Sequence, residues 1–186
     1  MKYIKILLWF FLVVFVLLVV VDIYKKITTE KGSGVSKRVE CQTKSTTFEK
    51  IHNTNQIKIA QELMTSGNYI LQSEIQKSVY AASKLFEYIS KEDIDNITKT
   101  QIERISKIKI EKKDNLLISY YTRENDIKDP GKKSKKSKQY AGYLVYEFKL
   151  SDKTVYKIQT DFDDFQGKDI ENRISCVITS FMSITE

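Results

Sequence analysis

The stretch Ile6–Val21 is 16 consecutive apolar residues, and Ile4, Ile23 and Tyr24 extend it. At about 1.5 Å rise per residue, a helix over residues 4–24 is about 30 Å long, the thickness of a bilayer core. A core helix of a small domain keeps one polar face, and this run has none. A removable leader calls for a shorter apolar stretch and a small-x-small cleavage site. Asp22-Ile23-Tyr24-Lys25-Lys26 offers no such site, and the charged residues before Cys41 do not suit a lipid-attachment cysteine. The reading is an uncleaved single-pass anchor over residues 1–26, with Tyr3 and Tyr24 near the expected interfaces. Residues 27–40, with Gly32-Ser33-Gly34 inside them, read as a flexible tether, and residues 41–186 as one soluble domain.

Two signals compete over orientation. Lys25, Lys26, Lys31, Lys37 and Arg38 follow the apolar run, which favours a cytoplasmic C-terminal portion. Cys41 and Cys176 lie near opposite ends of the domain, and a disulfide between them suits an oxidising compartment. The alternative is two unrelated thiols. Neither cysteine belongs to a C-x-x-C pair or has a histidine close by in sequence, so metal and redox motifs are not indicated. The expectation is a Cys41–Cys176 disulfide and a periplasmic or extracellular domain on the inner (cytoplasmic) membrane. The abundance of Lys, Ile and Asn points to an AT-rich bacterial genome.

Within the domain, apolar spacing predicts helices over Phe48–Ser66, ended by Gly67, and over Leu71–Ile89 through Leu71, Ile75, Val79, Ala82, Phe86 and Ile89. Ser90-Lys91-Glu92-Asp93 is a capping-box signal for a third helix through Ile94 and Ile97. The period then changes to two. Ile108 and Ile110, then Leu116–Thr122, Tyr140–Leu150 and Thr154–Phe162, read as four strands of an antiparallel meander. Asp169 opens a segment read as a closing helix, with Ile170, Ile174, Val177, Ile178, Phe181 and Ile184 on one side; a strand is the alternative. The class is α+β: helices on a four-stranded antiparallel sheet. In element order alone this layout resembles cystatin-like and NTF2-like domains. It also looks like the periplasmic domains of single-pass assembly factors of type IV secretion machines. No motif supports carrying residues over from any of them.

The chain holds 31 basic and 24 acidic residues, of which four and one precede residue 27. The remainder is therefore +4, and without Lys132, Lys133, Lys135, Lys136 and Lys138 it would be −1. This lysine run is a candidate surface for anionic lipid, an acidic partner or an envelope polyanion; the alternative is a solvated loop held open by self-repulsion. No RNA-binding aromatic signature accompanies it, so nucleic acid is not expected. Tyr140, Tyr143 and Tyr146, with Tyr120 and Tyr121, fall on adjacent strands. They form either a partner-binding patch or ordinary cross-strand packing.

Catalytic signals are missing. Asp161–Asp169 resembles a calcium loop, but Phe165 and Gln166 occupy positions that an EF-hand reserves for a ligand and a glycine. His52 is the sole histidine, and no nucleophile elbow or phosphate-binding glycine loop is present. No cofactor or metal is expected. The function expected is a membrane-anchored, non-catalytic interaction or scaffolding protein of the cell envelope, in a secretion, pilus or motility assembly. A tethered immunity or inhibitor protein is the alternative. A hydrolase using the Asp161–Asp169 carboxylates ranks behind both.

Overall fold

A computed structural model of the chain describes residues 38–106, 110–132 and 138–185. They lie within one unit, Ser36–Glu186. The apolar run at 4–24, most of the tether, Ile108 and Lys133, Lys135 and Lys136 lie outside the described residues. Among the described residues no helix is long and apolar enough to cross a membrane.

Five strands form one sheet: β1 (Thr47–Ile51), β2 (Tyr69–Gln76), β3 (Leu116–Glu124), β4 (Gly142–Leu150) and β5 (Lys153–Phe162). Their order is β1-β5-β4-β3-β2. β2 pairs parallel with β3, and every other pair is antiparallel. Three helices, α1 (Ile57–Thr65), α2 (Lys91–Glu103) and α3 (Ile170–Met182), cover one face. The class is α+β as expected, but the sheet is five-stranded and mixed, not four-stranded and antiparallel.

Two segments read as helical are strands, and Ile110 lies outside any strand. In Phe48–Ser66 only the second half is helical. Phe48 and Ile51, counted toward an apolar stripe, are 41% and 36% exposed. Thr47 and Glu49 turn inward instead, and β1 takes the free edge of β5. In Leu71–Ile89 the spacing of four between Leu71 and Ile75 satisfies a helical turn and two strand periods alike. The strand wins because Tyr69, Leu71 and Ile75 all turn to the helix side, while Ile70, Gln72 and Glu74 turn away. Val79, next in the supposed stripe, is 84% exposed.

The other elements follow their sequence signals. α1 stops at Gly67, whose φ of +81° permits a backbone bond from Asn68 N–H to Leu63 O. Ser90 Oγ accepts from Asp93 N–H, and the Asp93 carboxylate accepts from Ser90 N–H, closing the box that opens α2. α3 buries Ile170, Ile174, Val177, Ile178 and Phe181. Ser151 and Asp152, both at positive φ, make the two-residue turn between β4 and β5.

The core lies between the sheet and the helices. Phe181 of α3 stacks on Phe148 of β4 with centroids 4.1 Å apart, and Tyr120 stacks on Tyr146 at 4.5 Å. Two buried hydroxyls are satisfied from α2: Tyr146 bonds Thr98 at 2.8 Å, and Tyr120 donates to Asp95. Cys41 and Cys176 are joined, tying the entry segment to α3. Near that bond Glu49 accepts from Nε and Nη2 of Arg38 and from Gln42, while Tyr156 Oη donates to it from the core.

Two expectations follow. A Cβ at Gly142 would stand 2.3 Å from the Arg123 carbonyl and 2.4 Å from the Phe162 ring. Gly142→Ala should therefore cost about 2 kcal/mol or more in guanidinium unfolding, since neither a paired strand nor a core ring can yield cheaply. The disulfide closes a loop with a sequence separation of 135. Replacing both cysteines by serine should cost up to about 5 kcal/mol on the chain-entropy account, read as a lowered unfolding midpoint.

Candidate functional site: the uncovered face of the sheet

Side chains of a strand alternate between two faces, and here the even-numbered residues of β3, of β4 and of β5 from Tyr156 onward point to the helices. The odd-numbered ones point away. Register places them in rows across the sheet: Glu74, Tyr121, Val145, Gln159 and Phe48, then Gln76, Arg123, Tyr143 and Asp161. Among the described residues no helix lies over this face. Val145, between Tyr121 and Gln159 in register, is nonetheless 2% exposed and takes no part in the helix-side core.

The aromatic residues on this face are organised. Tyr121 and Tyr143 meet edge-to-face at 6.3 Å. The Arg123 guanidinium lies 6.0 Å from the Tyr143 ring centroid and donates to Tyr143 Oη at 3.2 Å. This restrains a long side chain before any partner arrives. Burial, then the neighbouring Tyr143, hold the Tyr121 phenol above its ordinary range. Two rows along the sheet from Arg123, Glu147 is bracketed by Lys149 and Lys157 at 2.9 and 2.5 Å.

Asp161 sits opposite Tyr143 in register and is almost wholly buried. Gln159 Nε2 reaches its carboxylate at 3.4 Å. Burial, reinforced by Asp163, pushes the carboxyl up to about 6, against the Gln159 bond and the Arg173 charge. Tyr140, half-buried, has its phenol raised by burial and then by the Asp161 charge. The sheet end therefore gathers Tyr121, Arg123, Tyr140, Tyr143 and Asp161.

The expected residues separate. Tyr143 lies on the uncovered face, and Tyr140 lies just before β4, outside the strand. Tyr146 is fully buried in the stack with Tyr120, which corrects its assignment to a partner surface. The reason is parity: three residues from Tyr143 is an odd step, so the two tyrosines face opposite sides. Lys132 Nζ donates to Asn125 Oδ1, and Lys138 is exposed. Arg123 went unnoticed because the strand seemed to stop at Thr122; the alternation Leu117, Ser119, Tyr121, Arg123 carries the signal.

The Asp161–Asp169 stretch is a turn into α3. Asp169 accepts from the N–H groups of Asp163 and Asp164 at 2.9 and 3.2 Å, and Arg173 reaches Asp169 at 3.2 Å. A hydrolase reading asks for Asp163 and Asp164 facing into a concave pocket; Asp163 is exposed on the turn and Asp164 is partly buried there. A polar cleft of about 420 Å³ beside the disulfide is lined by Lys44, Asp169, Arg173 and Thr179. Arg173 there is already engaged by Asp163, Asp169 and the Lys44 carbonyl.

No family model matches the chain, and neither the curated proteins nor the solved structures contain a significant match.

The raised Asp161 carboxyl gives a pH signature. Its folded value, about 6, lies above the ordinary 3.8, so between these values the folded protein binds the proton more readily than the unfolded chain. This group's contribution therefore favours folding increasingly as pH falls from about 6 to about 4. Asp161→Asn should be more stable than the parent at pH 8, with the advantage shrinking by pH 4. Thermal melts of both proteins at pH 4, 6 and 8 check it; a pH-independent difference would contradict the assignment.

Proposed function

We propose that the chain is a membrane-tethered, non-catalytic interaction or scaffolding protein of a bacterial cell envelope, which docks onto a protein partner through the uncovered sheet face. The observation that carries the reading is the Tyr121–Arg123–Tyr143 cluster on a face that no described element covers. Tyrosine and arginine dominate binding energy at protein interfaces, and here both are held in place beforehand. The apolar run at residues 4–24 supplies the tether in this reading. The Cys41–Cys176 bond supports a domain in an oxidising compartment, outside the inner membrane. A secretion, pilus or motility assembly is the kind of machine in which such a module serves.

A photoreactive residue in place of Tyr143 tests it in cells of the source organism. The expected outcome is a discrete protein adduct at position 143, absent from the same probe at Asn96 on the exposed side of α2, and lost when Arg123→Glu is added. Adducts to lipid alone, or the same smear at both positions, would sink the proposal.

A further inference from the structure

Away from that face, the end of the sheet beyond β2 and β3 carries a second arrangement. The strap of residues 77–84 after β2 is not helical, yet it is fixed. Glu124, at the end of β3, accepts from the backbone N–H groups of Ser78, Lys84 and Leu85 at 3.1, 2.7 and 2.9 Å. Asp126 accepts from Val79 and Tyr80 N–H at 2.7 and 2.6 Å. Burial alone would raise both carboxyls, but these donors hold them below their ordinary range. Two carboxylates thus replace the partners that an irregular backbone lacks.

The strap so fixed is one wall of a cleft of about 390 Å³. Its apolar lining is Ala81, Ala82 and Leu85 on the strap side, Ile127 on the other, with Ala141 and Phe165 between. Around it, large apolar side chains meet water: Val79 is 84% exposed, Tyr80 59%, Phe165 46% and Ile127 39%. Such a concentration at one end of a small domain marks a contact surface. The lining also holds Glu124, whose carboxylate is taken up by the strap N–H groups, so the charges open to a ligand are two exposed lysines. Lys84 stands on the strap wall and Lys128 on the Ile127 wall. Neither has an ion-pair partner among the described residues, and Lys132 bonds Asn125 at the same end.

We propose that this cleft docks an extended acidic peptide segment of a protein partner, with one large apolar side chain seated between the strap and Ile127 and flanking carboxylates paired with Lys84 and Lys128. Lysines on opposite walls suit carboxylates spaced along a chain better than the single head group of an amphiphile. The inference rests on reading the protein as an interaction module, but not on the uncovered sheet face.

The test uses the full chain in nanodiscs and fluorescein-labelled hexapeptides with Asp and Glu flanking a central pair drawn from Leu, Ile, Phe and Trp. Fluorescence anisotropy should show saturable binding by members of the set. Affinity should fall at least about tenfold when the central pair is replaced by Ser, in Ile127→Asp, and in the double variant Lys84→Glu with Lys128→Glu. These three side chains are exposed at the surface, and circular dichroism checks that the variants fold. Failure of every peptide to bind, or binding indifferent to the cleft variants, overturns the proposal. So does dodecanoate binding with the same variant dependence when no peptide binds, which would make the cleft an amphiphile site. The adduct at position 143, measured in Ile127→Asp as well, reports on the sheet-face reading separately.

Discussion

The carboxylate of Glu49 is the point on which the domain's edge depends. β1 is a short edge strand held along one side by β5, a position from which a strand frays easily. Glu49 turns inward from it and collects Arg38, Gln42 and Tyr156, three groups from the entry segment and the core. Gln42 passes the connection on to Ser180 in α3, and Arg38 reaches the Ser180 carbonyl. The disulfide joins the same entry segment to the same helix. Removing Glu49 would leave the Tyr156 hydroxyl without its acceptor and Arg38 without its counter-ion, and an unsatisfied buried polar group costs more than a bond contributes. Sheet edge, closing helix and chain entry are thus one cooperative unit.

With that edge secured, the sheet has two unlike faces. The helix side is aromatic; the Tyr120, Tyr146 and Tyr156 hydroxyls are bonded across elements, while the buried Thr122 hydroxyl has no partner among the described residues. The other side mixes tyrosine, arginine, glutamine and paired charges, and none of the described helices covers Val145 there. Odd and even residues of the same strands serve both roles, so a shift of one residue in register would exchange them. The bulge between Phe148 and Lys149 comes near the far end of β4, past Tyr143 and Val145, and leaves the alternation at the aromatic cluster intact.

Much of this was legible in the residues, and what was not has a common cause. Local signals held: Ser90 with Asp93, Gly67, and the four-residue spacing from Ile170 to Ile174 and Ile178. β1 and β2 misled because their apolar residues fall at intervals that helices and strands share. Only pairing with β5 and β3, distant in sequence, settles the choice. Among the candidate residues, Tyr143 was reachable by alternation and the cysteine pair by its places near the two ends of the domain. Tyr146 required knowing which parity faces the helices, a property of the assembled sheet.

The strap after β2 lay furthest from sequence reasoning. Its donors and the acceptors Glu124 and Asp126 are separated by about forty residues, and the apolar spacing through Val79 and Ala82 pointed to a helix instead. Read alone, Glu124 and Asp126 are loop acids that should repel each other and stay in water. They are held ionised and buried because five backbone N–H groups converge on them. The parallel pairing of β2 with β3 makes this possible. Both strands then end on the same side, so the chain leaving β2 must turn across the end of β3, where the two carboxylates wait. An antiparallel neighbour would have sent the strap to the opposite end, and the cleft it walls could not have formed there.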